Sequence, residues 1–360
     1  MVGRTLSLYL SRRFLMTIGG VFAGFFGLIY LIDFVEMLRR TSGLSDVSAP
    51  FVALLCLLRT PAVAEQLLPF AVLAGSMFAF VGLSRRLELI VARASGVSAW
   101  QFLAPPVLIV LGLGMLSVVA YNPLSALLKE RADRIETAIF RSGRQQIDTS
   151  LWIRQRSIDG QAIVRAEASS DAGTRLSGVT AFVYDDNGGF VERVEAATAS
   201  LQPGFWDMRE VRITAPDDEP QAVGSYYLAT NLTSEQVTQS FVAPEAVSFW
   251  DLPEIGRRTE QAGLDSGRYR LRYQTLLARP LLLVAMVIIA ACFSLRFFRI
   301  GGVIWALAGG AAAGFVLYVA TKLVGDLGGA GLLSAPFAAW SPAVIGSLLG
   351  TLVLLHQEDG

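Results

Sequence analysis

Several residue types on which soluble enzymes depend are scarce in this 360-residue chain. The single histidine, His356, and the two cysteines, Cys56 and Cys292, argue against a histidine-based triad, a His-rich zinc site and a disulfide-stapled domain. Only two basic residues are lysines, and neither Lys129 nor Lys322 follows a glycine. The chain therefore has no Walker A loop and is not a P-loop ATPase.

Charge is scarce as well, and it is unevenly spread. Charged residues make up 17% of the chain and hydrophobic residues 53%. The 30 acidic residues balance the 30 basic ones, which excludes nucleic-acid binding through bulk positive charge. Residues 129–272 hold 39 of these 60 charges, so the pattern predicts a water-soluble domain inserted into a membrane protein.

Long uncharged runs predict six membrane-spanning helices, because about 19 helical residues cross the hydrocarbon core. The predicted spans lie near residues 14–32, 66–84, 102–121, 276–295, 300–321 and 335–355. No small-x-small cleavage pattern follows the first run, so we expect a retained helix and not a signal peptide. The predicted domains are 1–128 with spans one to three, 129–272, and 273–360 with spans four to six.

Arginine and lysine in the short loops predict the orientation. With the N-terminus in the cytoplasm, eight basic residues lie on the cytoplasmic side and four in the opposite short loops. This bias favours two cytoplasmic termini and places the 129–272 domain on the outer side of the membrane.

The outer domain is predicted to be all-β. Residues 150–230 alternate with the period of strands, and turn residues recur every 8–12 positions, which indicates an antiparallel sandwich or jelly roll. The polar segment 263–279 is predicted to form a helix leading into span four. The fold class is thus a membrane α-helical protein with six transmembrane helices and an inserted, jelly-roll-like β domain on the outer side, which the resemblance described below implies is periplasmic.

Segment 84–96, between spans two and three, is the first candidate functional site. The candidate docking residues are Arg85, Arg86, Leu87, Glu88, Val91, Ser95 and Gly96. Leu87 and Val91 share one helical face, Glu88 lies beside them, and Gly96 would end the helix. The segment is either an interfacial anchor obeying the positive-inside rule or a short docking helix for a partner such as an ATPase.

Charged residues at the outer ends of two spans form the second candidate site. Asp33, Glu36, Arg39 and Arg40 make a stripe at the end of span one. Lys322 and Asp326 are spaced i, i+4 at the end of span five. These are either solvated helix ends with snorkelling side chains or a polar rim that handles an anionic lipid head group.

The order of these parts resembles the lipopolysaccharide-export permease family LptF/LptG, and is more similar to its LptG branch. The resemblance covers nearly the whole chain, and no single motif in it is as diagnostic as a metal site. The matching segments include 33–36 with Arg39 and Arg40, segment 84–96, Leu151-Trp152, 196–199, 230–233 and 266–269.

The resemblance implies a non-enzymatic permease subunit of an ABC exporter in the bacterial inner membrane. Expected partners are an LptF-like permease, an LptB-like ATPase dimer, an LptC-like periplasmic bridge protein and lipopolysaccharide, with no nucleic acid. It implies no cofactor in this chain, with ATP and Mg²⁺ bound by the partner ATPase. Segment 84–96 corresponds to the coupling helix, Glu88 to its ATPase-contacting acid, and spans one and five to the lateral gates.

One departure from the family pattern is Asp33, where some LptG proteins have a lysine in span one. We therefore look to Arg39, Arg40 or Lys322 for the head-group contact. Alternatives to the LptG interpretation are an LptF-like paralogue, another ABC permease with a large outer domain, and a non-transporting receptor or scaffold.

Overall fold

The computed structural model describes ten stretches of the chain, and it places them in two compact units. The described residues are 4–42, 47–141, 151–157, 160–170, 173–185, 188–216, 219–231, 244–261, 266–297 and 302–359. The first unit comprises Met1–Glu136, Glu245–Trp250 and Arg270–Gly360, and the second comprises Thr137–Pro244 and Asp251–Tyr269.

The first unit is built from long apolar helices. The helices of the chain are α1 (Arg4–Thr41), α2 (Ala49–Arg85), α3 (Glu88–Ala94), α4 (Ala99–Leu116), α5 (Asn122–Arg141), α6 (Leu252–Gln261), α7 (Gly267–Phe297), α8 (Val303–Gly329) and α9 (Ala335–Asp359). A π-helical turn, Ser117–Tyr121, joins α4 to α5 without a break. The 3-10 turn Pro244–Ala246 precedes α6.

Six of the described helical segments are long and apolar enough to cross a membrane. They are Thr5–Thr41, Ala49–Arg85, Ala99–Glu136, Gly267–Leu295, Leu307–Gly329 and Ala335–Gln357, and we number them spans one to six. The prediction of six spans with a β domain between the third and fourth is confirmed. Span one has 37 residues and is about 55 Å long, so it extends well beyond a hydrocarbon core of about 30 Å.

Small residues let the helices of this unit approach closely. A Cβ at Gly75 of α2 would lie 2.6 Å from the Cα of Ile18 in α1. A Cβ at Gly114 of α4 would lie 2.6 Å from the Cα of Pro280 in α7. Glycine removes the steric limit at both crossings, which is how membrane helices gain packing contacts in a solvent as apolar as their own side chains.

The second unit contains one antiparallel sheet. Its strands are β1 (Leu151–Ser157), β2 (Gly160–Ser170), β3 (Arg175–Tyr184), β4 (Phe190–Gln202), β5 (Phe205–Thr214) and β6 (Gln221–Ala229). They pair in sequence order, with Ile163 opposite Phe182 and Leu201 opposite Trp206. The alternation recognised in the sequence is visible in β3, where Val179, Ala181 and Val183 are buried and the residues between them are less so.

The sheet is rolled, and Gln155 of β1 ties its two edges together. The Gln155 side chain is buried, and its Nε2 donates to the Ala229 carbonyl oxygen at 3.1 Å. Its Oε1 accepts from Thr230 Oγ1 at 2.8 Å and from Trp206 Nε1 at 3.2 Å. Residues at opposite ends of a six-stranded sheet meet only because twist and coiling accumulate across the strands.

The inserted all-β domain is confirmed, but its described strands do not make two sheets with crossing connections. They form a single up-and-down meander that rolls up, because each strand pairs with its neighbour in sequence. The polar segment predicted to lead into span four is helical from Gly267 onward, and residues 263–265 of that prediction lie outside the described residues.

Candidate functional site

Segment 84–96 forms a tight turn followed by a short surface helix. Helix α2 ends at Arg85, and Leu87 takes a φ of 60°, the left-handed conformation that a leucine side chain disfavours. Helix α3 then runs for seven residues, Glu88–Ala94, and Gly96 has a φ of 85°. Ser98 and Gln101 form a capping box that starts α4, so both ends of the segment are sharply defined.

The segment presents apolar and charged side chains to its surroundings. Leu87 is 55% exposed and Val91 is 67% exposed, one helical turn apart. The other exposed members of the predicted site are Arg85, Arg86, Ser95 and Gly96. Leu89 points the other way and is buried in the same apolar cluster as Leu10 and Phe14 of α1. The exposed face of this segment therefore consists of Leu87 and Val91 flanked by arginines.

Glu88 is half-buried and is held from α1. The Tyr9 hydroxyl donates to Glu88 Oε1 at 3.2 Å, and Arg13 Nη1 donates to the Tyr9 hydroxyl at 3.3 Å. Gly82 of α2 leaves space for this arginine, because a Cβ there would lie 2.8 Å from Arg13 Nη2. The N-terminal part of span one and the candidate docking segment thus lie at the same end of the helical unit.

The charges at the far end of α1 are paired mainly with one another. Glu36 accepts from Arg40 Nε at 2.9 Å and makes an ion pair with Arg39 at 3.0 Å. The Arg39 side chain is 78% exposed, whereas Asp33 is half-buried and lies against Cys56 of α2. Arg39 is therefore the rim cation of α1 that is most open to its surroundings.

Lys322 and Asp326 are exposed on α8. No hydrogen bond or ion pair joins them to each other or to Asp33, Glu36, Arg39 or Arg40 among the described residues. The structure therefore brings four of the six predicted rim residues onto one helix end and leaves the other two on a separate helix.

A buried polar cluster joins three spans, and sequence reasoning missed its central residue. Glu65 of α2 and Arg279 of α7 form an ion pair in which the residues are 2% and 7% exposed. Asn122 Nδ2 of α5 donates to Glu65 Oε1 at 2.9 Å, and Ser125 Oγ donates to Glu65 Oε2 at 2.7 Å. Asn122 Oδ1 also accepts from the Phe249 amide at 2.9 Å.

The backbone around this cluster is irregular in all three spans. The π-helical turn Ser117–Tyr121 immediately precedes Asn122, and the Tyr121 hydroxyl donates to the Pro61 carbonyl oxygen at 3.1 Å. Proline lies inside α2 at Pro61 and inside α7 at Pro280. A π turn or an internal proline frees backbone groups, and such irregularities are tolerated in a membrane helix where neighbours satisfy those groups.

An open apolar groove of about 740 Å³ runs between α1 and α4. Its polar lining residues, Ser7, Ser11 and Gln101, come from the N-terminal parts of the two helices. Within the stretches that the structure describes, no group of three or more His, Cys, Asp or Glu side chains is placed to hold a metal ion.

These features define a multi-pass helical membrane protein with a short surface helix between spans two and three and a rolled β-sheet unit inserted between spans three and four. The sequence profile of the lipopolysaccharide export system permeases LptF/LptG matches residues 8–356. The chain therefore belongs to this family. It is a multi-pass inner-membrane protein of a family of permease subunits that are not catalytic enzymes.

The chain is also similar to two individual relatives. The chain is 24% identical over 326 residues to the lipopolysaccharide export system permease protein LptG of Escherichia coli strain K12. The match covers 89% of this chain and 87% of the relative. The LptG protein of Escherichia coli O6:H1 strain CFT073 matches with the same identity and coverage.

Proposed function

We propose that this chain is the LptG-type transmembrane subunit of an ABC exporter that extracts lipopolysaccharide from the inner membrane. It would pair with an LptF-like permease, and an LptB-like ATPase dimer with ATP and Mg²⁺ would supply the energy. It would pass the lipid to a periplasmic bridge that includes an LptC-like protein. Both termini would be cytoplasmic and the β unit periplasmic.

The observation that carries this proposal is the composition of the exposed face of segment 84–96. Exposed leucine and valine side chains beside two arginines and a carboxylate suit a protein partner, because an apolar centre with a polar rim is the usual anatomy of a protein–protein interface. Leu87 keeps a disfavoured backbone conformation there, and such outliers cluster at functional sites. The chain itself lacks a Walker A loop, so the nucleotide would bind to the partner.

The unequal burial of the spans supports a second permease. In the most apolar stretches of spans two and four, 67% of the residues are buried within this chain. The corresponding shares are 6% for span one and 17% for span five. Spans one and five therefore offer long apolar faces for a paralogous subunit and for the lipid between them.

The outer rim would contact the anionic head group. Arg39 presents an exposed guanidinium, and Lys322 an exposed ammonium on span five. Guanidinium groups bind phosphate in a bidentate manner, and an ammonium acts as a point charge. Because Glu36 already neutralises part of the arginine charge, we expect each contact to be modest and their sum to matter.

Charge reversal at Glu88 tests the docking role. We expect Glu88→Arg to abolish recovery of the ATPase with the tagged chain while the level of the chain in the membrane stays unchanged. Leu87→Asn, which keeps a residue tolerant of the left-handed conformation but removes the apolar anchor, should lower the same recovery. Unchanged recovery in both variants would refute the docking role.

Glu219→Arg is the matched control, because Glu219 is exposed on the second unit, just before β6. The same reversal of charge there should leave ATPase recovery at the parent level. A similar loss in the control would show that recovery responds to net charge and not to the docking segment.

A further inference from the structure

Glu88 reaches α1 through a chain of side chains that no docking role requires. The Tyr9 hydroxyl donates to Glu88, and Arg13, one helical turn further along α1, donates to the Tyr9 hydroxyl. A carboxylate that serves only as a contact for a partner would be solvated on an exposed surface of the protein. Here one of its oxygens is turned back toward span one.

The two donors on α1 are themselves fixed in place. Leu10 and Phe14, which follow Tyr9 and Arg13 in the sequence, are fully buried. The Phe14 ring packs edge-on against Phe80 of α2 with 4.8 Å between ring centroids. Because these neighbours restrict rotation of α1 about its own axis, the positions of the Tyr9 hydroxyl and the Arg13 guanidinium follow the position of the helix.

The same helix carries the candidate lipid rim at its other end. Thirty residues separate Tyr9 from Arg39, and both lie within the uninterrupted helix Arg4–Thr41. At the rise of an α-helix they are about 45 Å apart. No proline interrupts the helix between them, so a displacement at Tyr9 can reach the rim through continuous helical backbone.

We propose that Tyr9 and Arg13 are positioning residues that connect the carboxylate of Glu88 to span one, so that movement of the docking segment is transmitted to the lipid-handling end of α1. This inference rests on the proposed function, because it needs the ATPase to act on segment 84–96. It adds two residues and a route for the movement. It predicts that Tyr9 affects how much lipid is moved for each ATP, and not whether the ATPase binds.

The test uses the assembled complex in proteoliposomes with Tyr9→Phe, which keeps the ring and removes the hydroxyl donor. Three quantities are measured: ATPase recovered, ATP hydrolysed, and lipopolysaccharide released per ATP. We expect the first two at the parent level and the third reduced by about threefold, the factor that loss of one hydrogen bond of modest net strength gives. Gly82→Ala, which crowds Arg13 from α2, should change the third quantity in the same direction.

Tyr30→Phe is the matched control, because Tyr30 lies on the same helix and donates to the Ala53 carbonyl oxygen away from the docking segment. Lipid release per ATP equal to the parent in both Tyr9→Phe and Gly82→Ala would overturn the inference. Loss of ATPase recovery in Tyr9→Phe would also overturn it, because Tyr9 would then belong to the docking surface. A parent chain that recovers no ATPase would instead refute the proposed function itself.

Discussion

The buried ion pair between Glu65 and Arg279 gives the sharpest stability prediction. Replacing Glu65 by alanine leaves the Arg279 guanidinium buried without its counter-charge and removes the acceptor of the Asn122 amide. Breaking a buried pair from one side costs about 3–5 kcal/mol, and an orphaned buried amide adds about 1–3 kcal/mol. We expect Glu65→Ala to destabilise the chain by at least about 3 kcal/mol.

Replacing both members of the ion pair tests whether the cost of Glu65→Ala comes from the unpaired charge of Arg279. A buried ion pair is expensive to desolvate, so replacing both residues by apolar ones of similar volume is often neutral or stabilising. Glu65→Leu with Arg279→Met should therefore cost much less than Glu65→Leu alone. Measured together with the single variant Arg279→Met, this gives a coupling free energy of about 2 kcal/mol or more. The measurement is the free energy of unfolding of the purified chain in mixed detergent micelles during SDS titration, followed by tryptophan fluorescence.

A partly exposed ion pair in the same unit provides the control. Arg59 and Glu136 lie 3.1 Å apart with side chains 30% and 26% exposed. Glu136→Gln should cost less than about 1 kcal/mol, since solvent screens such pairs. If Glu65→Ala were as mild as this control, or the double replacement as costly as Glu65→Leu, the reasoning about the cluster would be wrong.

Three further predictions concern packing, the β unit and the rim. Gly114→Ala should lower the unfolding midpoint in the same titration, because its Cβ would meet the backbone of Pro280, whereas Gly112→Ala, which has open space, should not. Gln155→Ala should lower the stability of the β unit by roughly 2 kcal/mol, because it leaves the buried Trp206 indole N–H without its acceptor. We expect faster limited proteolysis between residues 151 and 230, and an unchanged cleavage rate would contradict this. Replacing Arg39, Arg40 and Lys322 together by glutamine should weaken photocrosslinking of lipopolysaccharide at the rim, and an undiminished adduct would refute the head-group role.

The six spans could be predicted from the sequence because charged side chains are costly to place in the hydrocarbon core. Charge-free runs of about 20 residues therefore indicate membrane helices. The same criterion hid Glu65. It starts span two at Gln66, directly after the acid, and so places Glu65 outside the membrane. A charge paired inside the protein breaks the rule by which a span is recognised, and its partner Arg279 lies 214 residues away.

For the β unit and the docking segment as well, local features could be predicted from the sequence and long-range contacts could not. Alternation and turn residues predicted strands between residues 150 and 230, but the rolling of the sheet, which brings Gln155 of β1 to Ala229 at a distance of 74 positions along the chain, has no local pattern in the sequence. The rolled meander therefore emerged only from the structure. Segment 84–96 was located by its position between two spans, whereas the contact of Glu88 with Tyr9 joins residues 79 positions apart and had no signal in the sequence.

The most direct test of the exporter assignment is affinity purification of this chain from its native membrane in mild detergent, with every co-purifying protein identified. We expect a P-loop ATPase and a second six-span permease of the same family in stoichiometric amounts, and loss of the ATPase alone in Glu88→Arg. Recovery of the chain by itself, repeated in several detergents, would contradict the exporter assignment and favour a receptor or scaffold that uses the β unit for binding.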